Sequence, residues 1–251
     1  MAGMEHAVGT IRVEPLDATF GAVVHDVVLA GASDETVAEL TELWLEYALL
    51  VFPEQHLTPH EQDEFARRFG DLEFTATPLT NIQRDGTLRR PDHDLSKSLR
   101  ANERWHHDST YMPLQAKGAV FSAEIVPSHG AATGWADMRA AYDALPAAEQ
   151  ERLAGLRARH SLYYSQGRAG YLPSKQNDDG TYAQYGYHDQ DVSLRPLVKV
   201  HPDTGRPNLL IGRHAHDIEG MDREESEQFL DELNEWACQG ERTYHHQWAV
   251  G

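Results

Sequence analysis

The alternation of apolar and polar positions divides the chain into short strands and amphipathic helices. Thr10 to Val13 and Ala22 to Leu29 read as strands, the second rich in valine, whose β-branched side chain suits a pleated surface. A helix should follow, because Ser33 is placed as its N-cap, Asp34 and Glu35 suit the positive end of its dipole, and Val37, Leu40, Trp44 and Tyr47 recur at helical spacing. Leu49 to Phe52 is an apolar run of strand length. Thr58-Pro59-His60-Glu61 joins a capping box to a proline at the first helical position, Phe65 and Phe69 share a face, and Gly70 supplies the stop.

Further along, Pro78 to Arg104 is polar and broken by Gly86 and Pro91, which predicts a long connection. Ala119 to Val126 reads as a strand ended by Pro127. Ala136 to Leu145 and Pro146 to Leu156 read as successive helices, and Arg157 to Tyr164 as strand. Ser165 to Ser193 has little apolar periodicity and fits either a lid or a disordered loop. Arg195 to His201 and Asn208 to Gly212 flank a Pro, Asp and Gly turn and predict a hairpin. Asp222-Arg223-Glu224-Glu225 opens a helix with Phe229, Leu233 and Trp236 on its buried face and a stop at Gly240, after which Thr243 to Trp248 begins another strand. Many short strands interrupted by helices predict one mainly-β domain over 1–251, a β-sandwich or jelly roll decorated by α-helices.

Composition narrows the function classes. Forty acidic against 22 basic side chains give a formal charge of −18, so the average surface repels nucleic acid and anionic bilayers. No run reaches membrane-spanning length and no apolar core of a signal peptide opens the chain, so a soluble cytoplasmic protein is expected. The single cysteine, Cys238, excludes an internal disulfide and a Cys-rich metal site. Neither a dinucleotide-binding glycine fingerprint nor a phosphate-binding Gly-Lys-Ser/Thr loop is present.

Candidate chemistry gathers at Trp105-His106-His107-Asp108-Ser109-Thr110. In an extended segment His106 and Asp108 face the same way, and together they would supply two of the three ligands of the 2-His-1-carboxylate triad of non-haem Fe(II). The other His-x-Asp, His201-Pro202-Asp203, has the composition of a tight turn. The same pair would also serve Zn²⁺ in a hydrolase, and a catalytically silent jelly roll that binds a small ligand is the alternative from another class.

Trp105 to Asp108, Gly130-Ala131-Ala132-Thr133 and Ala136-Asp137-Met138-Arg139-Ala140-Ala141-Tyr142 resemble the taurine dioxygenase family of Fe(II)- and 2-oxoglutarate-dependent oxygenases. Thr110 to Pro113, Gly118 to Glu124, Arg195 to Pro202 and Ile211 to His216 are most similar to the branch that cleaves aryloxyalkanoates such as 2,4-dichlorophenoxyacetate and (S)-phenoxypropionates. The resemblance implies a double-stranded β-helix, iron bound by His106 and Asp108, and 2-oxoglutarate and O2 as cosubstrates. It implies that Thr133 binds a 2-oxoglutarate carboxylate and that Asn102 approaches the substrate, with Tyr111 as a pocket wall and Arg213 as a cation for a substrate carboxylate. The expected partner is a small carboxylate, hydroxylated next to an ether oxygen and collapsing to a phenol and an oxo acid. Sulfonates, amino-acid derivatives and natural-product intermediates are the alternatives within the family, and assembly into a homo-oligomer stays open. The second glycine usual before Thr133 is Ala131 here. The family's second ligand His and its carboxylate-clamping arginines follow the equivalent of Trp248 to Gly251, so they are expected beyond residue 251.

Overall fold

Burial with period two sets the first layer. Ile11 and Val13 are buried in β2 (Ile11–Pro15), and Ala22 and Val24 in β3 (Ala22–His25), which leaves one face of the sheet apolar. The structure is a computed structural model that describes residues 6–8, 11–172, 174–182 and 185–251. Its first sheet runs β1 (His6–Val8), β2, β3, β4 (Leu50–Val51), with Val13 opposite Val24 in an antiparallel register and β4 parallel to β3. Parallel pairing needs a crossover, which α1 (Asp34–Tyr47) provides, its first turn capped by Ser33. Leu40 and Leu43 of α1 and Phe65 of α2 (Pro59–Arg67) complete this core, and the reciprocal Thr58–Glu61 capping box starts α2 as expected.

A second layer holds the site. β5 (Thr133–Ala136) pairs with β11 (Thr243–His246), and β6 (Arg157–His160) lies between β10 (Ala215–Ile218) and β7 (Ser193–Pro196). β8 (Val198–Val200) and β9 (Pro207–Leu209) form the hairpin expected around the second His-x-Asp, whose turn closes with the His201 amide on the Arg206 carbonyl at 2.9 Å. Leu153, Leu197, Leu209, Ile211 and Ile218 pack against Leu230 and Leu233 of α7 (Arg223–Ala237), which Asp222 caps.

Several elements differ from the sequence expectation. The seven helices hold more residues than the strands do among the described residues, because no described strand exceeds five residues, so "mainly β" is corrected to mixed strand and helix. Ala119 to Val126 is irregular: Phe121 and Ile125 are exposed, and the Val120 carbonyl is taken by the Gln62 side chain. The polar connection before the site contains α3 (Asp94–Ala101). The predicted strand after Arg157 stops at His160, where Ser161 caps α6 (Leu162–Arg168). Ala136 belongs to β5, so the first of the two successive helices is only α4 (Met138–Asp143), followed by α5 (Ala147–Leu153). The last long helix ends at Ala237, before Gly240. No helix among the described residues is long and apolar enough to cross a membrane.

Candidate active site

The segment carrying His106 and Asp108 belongs to no strand. Residues 105–107 are irregular and 108–111 form a turn in which Ser109 takes φ 59° and the Met112 amide donates to the Ser109 carbonyl at 2.9 Å. The expected extended run through Tyr111 is therefore a turn, yet the two side chains still meet, with His106 Nε2 3.3 Å from Asp108 Oδ1. Two glycines hold the segment. A Cβ on Gly134 of β5 would lie 2.8 Å from the Trp105 ring, and one on Gly212, whose φ is +121°, would lie 3.0 Å from His106 Cα. Trp105 thus rests on β5 and edge-on to His245 of β11, while its carbonyl accepts the Arg213 amide at 3.0 Å.

The donor set suits a divalent cation. His106 Nδ1 lies 2.6 Å from the Arg104 carbonyl, and a carbonyl only accepts, so Nδ1 carries a proton and Nε2 is the nitrogen turned to Asp108. That nitrogen faces a carboxylate oxygen, an arrangement that needs positive charge between or on the two groups. Ligands at right angles on an ion with bonds of about 2.1 Å lie about 3 Å apart, close to the separation seen. The His106 imidazole holds the Asp108 carboxyl below its ordinary range, and the Asp108 side chain stays 61% exposed and open to a ligand. No group of three or more potential ligand side chains occurs among the described residues.

His107 follows His106 directly in the chain. Burial, then the neighbouring His106 and Lys199, push its imidazole down to about 4. On the other side His214, 2% exposed, meets the His106 ring edge-on at 5.3 Å, binds Ser165 Oγ through Nδ1 at 2.9 Å, and is held well below the ordinary histidine value by burial.

The remaining expected residues surround this pair. Thr133 opens β5 opposite His246, and its Oγ1 accepts the Trp248 indole N–H at 2.8 Å, leaving its own proton to donate. Asn102 ends α3, and its Oδ1 accepts from Arg213, which also donates to the Ala101 carbonyl. Arg213 is thus turned onto the end of α3 and does not stand free. Its buried Nε has no partner, burial pushes it down to about 10, and Asp108 and Tyr111 lie within its electrostatic reach. Tyr111 is 6% exposed, edge-on to His214 at 4.8 Å, and borders a cavity of about 170 Å³ shared with His160, Lys175 and His188. Trp248 and Tyr185, whose hydroxyl lies 3.4 Å from Ser109 Oγ, escaped the sequence reading, since each reaches the site from a distant segment.

Known proteins resemble this chain in sequence and fold. The chain is 57% identical over 241 residues to the (S)-phenoxypropionate/alpha-ketoglutarate-dioxygenase of Sphingobium herbicidovorans, covering 95% of this chain and 83% of that one. It is 35% identical to the alpha-ketoglutarate-dependent 2,4-dichlorophenoxyacetate dioxygenase of Cupriavidus pinatubonensis, covering 96% and 87%. Its fold matches the crystal structure of AAD-2 in complex with Mn(II) and N-oxalylglycine with a TM-score of 0.87 at 32% identity, over 96% of this chain and 86% of that one. Residues 12–251 match the family described as taurine catabolism dioxygenase TauD, TfdA, and the chain belongs to that family.

Proposed function

We propose that the chain is an Fe(II)- and 2-oxoglutarate-dependent dioxygenase acting on a small carboxylate of the aryloxyalkanoate class, with a double-stranded β-helix fold. The observation that carries the reading is the His106–Asp108 pair, a ring nitrogen facing a carboxylate oxygen at 3.3 Å, in a chain 57% identical to a phenoxypropionate dioxygenase. Bound there, Fe(II) supplies oxygen activation coupled to oxidative decarboxylation of 2-oxoglutarate. The protein's own work is placement. Arg104 fixes the His106 tautomer through its carbonyl, while Gly134 and Gly212 fix the path of the chain between Trp105 and His106.

Thr133 donates its hydroxyl proton to a cosubstrate carboxylate, oriented by the Trp248 indole. Asn102 and Arg213 form the polar edge facing the substrate carboxylate, where Arg213 has N–H groups beyond the two it spends on α3. Tyr111 excludes water behind the reacting position. Succinate release with a panel of carboxylates, under air and without oxygen, tests the reading. Turnover should require O2, Fe(II) and an aryloxyalkanoate. Stimulation only by an unrelated compound would move the enzyme to another branch, and oxygen-independent hydrolysis would end the dioxygenase reading.

A further inference from the structure

We propose that Tyr185, backed by Phe74, is the specificity-determining wall that selects an aromatic ring over the His106–Asp108 pair. The inference rests on the aryloxyalkanoate reading and names the side chains that would recognise the aryl half of such a substrate. Tyr185 comes from the segment between α6 and β7, and Phe74 from the segment before α3. Their rings meet edge to face at 5.3 Å and 69°, and Tyr185 meets Tyr111 at 6.2 Å and 70°. Three rings from three separate segments therefore descend from the surface to the metal-binding turn. The Tyr185 hydroxyl lies 3.4 Å from Ser109 Oγ, and Asp108 lies within its electrostatic reach.

Exposure carries the argument further. Phe74 is 59% and Tyr185 41% exposed, in a chain whose formal charge is −18. Clustered exposed apolar surface beside a reacting centre marks a binding face. Rings set edge to face leave faces and edges free for a third ring, and such contacts contribute beyond simple area burial.

Both segments are also braced in the same way. Residues 82–88 and 176–182 are matching small hairpins: Asp85 Oδ1 accepts the Thr87 amide and hydroxyl at 3.0 and 2.7 Å, and Asp179 Oδ1 accepts the Thr181 amide and hydroxyl at 3.0 and 2.6 Å. Gly86 and Gly180 take the positive φ that the turn requires, 83° and 82°. Arms ordered in advance lose less entropy when they hold a ligand.

The test is calorimetric titration of Mn(II)-loaded enzyme, in which the metal does not turn over, with 2-phenoxypropionate, its cyclohexyloxy counterpart and 2-oxoglutarate. Tyr185→Ala should weaken phenoxypropionate binding by about ten-fold, the cyclohexyloxy acid by less, and 2-oxoglutarate not at all. Tyr185→Phe, which keeps the ring, should bind phenoxypropionate as the wild type does, and Phe74→Ala should act in the direction of Tyr185→Ala. Unchanged phenoxypropionate binding in Tyr185→Ala, equal loss for both ring types, or parallel loss of 2-oxoglutarate binding would each overturn the wall. Wild-type enzyme that binds 2-oxoglutarate but no aryloxy acid would overturn the substrate reading together with it. Normal wild-type binding with an unaffected Tyr185→Ala variant overturns the wall alone.

Discussion

Thr133 has one hydroxyl and two partners to serve, the Trp248 indole that donates to it and the carboxylate to which it would donate. A hydrogen bond to a charged group contributes roughly 1.5 to 3 kcal/mol. Thr133→Val should therefore raise the KM for 2-oxoglutarate by about ten-fold or more, at about 1.4 kcal/mol per decade, with the KM of the prime substrate little changed. Trp248→Phe, which removes only the orienting N–H, should produce a smaller rise in the same constant, and steady-state kinetics with each substrate varied in turn separates the two effects. For the ligand pair, His106→Ala and Asp108→Ala should each abolish Fe(II) binding by anaerobic titration, whereas His107→Ala should keep it. The pairing of His106 with Asp108 was read from the shared face of an extended segment; the two side chains do meet, but through a turn that the sequence did not announce. The Trp248–Thr133 bond was not, since it spans 115 positions and leaves no local trace.

At the scale of elements, the signals that came through were those whose partners are close in sequence. Ser33, Thr58 and Asp222 each bond to amides two or three residues ahead, so residue type and position suffice to read them. Ala119 to Val126 had a strand's composition but found no neighbouring strand, and pairing is a tertiary fact. Helix α3 was hidden in a polar connection because it is only eight residues long and its N-cap is His93, outside the usual capping residues. The lodging of the Trp105 segment between Gly134 and Gly212 was equally invisible, and it makes a sharp prediction. Gly212→Ala adds a Cβ against backbone at a φ that side chains rarely adopt, so it should lower metal affinity by about ten-fold or more, as loss of supporting contacts around metal ligands does. Far-ultraviolet circular dichroism should stay native. Gly134→Ala, which meets only the rim of the Trp105 ring, should cost less, and unchanged metal affinity in both variants would refute this account of how the turn is held.

Over the whole molecule, charge and buried histidine set the response to solution conditions. With a formal charge of −18 the enzyme repels a dianionic cosubstrate at long range, so raising the salt concentration, which shortens the screening length from about 30 Å at 0.01 M to about 8 Å at 0.15 M, should increase kcat/KM for 2-oxoglutarate. His160, 1% exposed and with both ring nitrogens unpartnered, is pushed down by burial to about 3. Below the ordinary histidine value of about 6.5 the unfolded chain takes up this proton and the native protein does not, so stability is retained above that pH and falls as pH drops toward 3. The slope is about 1.4 kcal/mol per pH unit for one such group, and His160→Gln should flatten the fall of Tm between pH 7 and 5. The matching hairpins in the two loops above the site offer a practical opportunity. Arg84 and Asp178 are exposed at their tips, and the one native cysteine, Cys238, is half-buried with its thiol pushed up to about 12, which keeps it unreactive near neutral pH. Cysteines introduced at the two tips would take spin labels selectively and turn the pair of loops into a molecular ruler. It should read one narrow separation in the wild-type background and a broadened one once Phe74→Ala removes the ring contact between the segments that carry them.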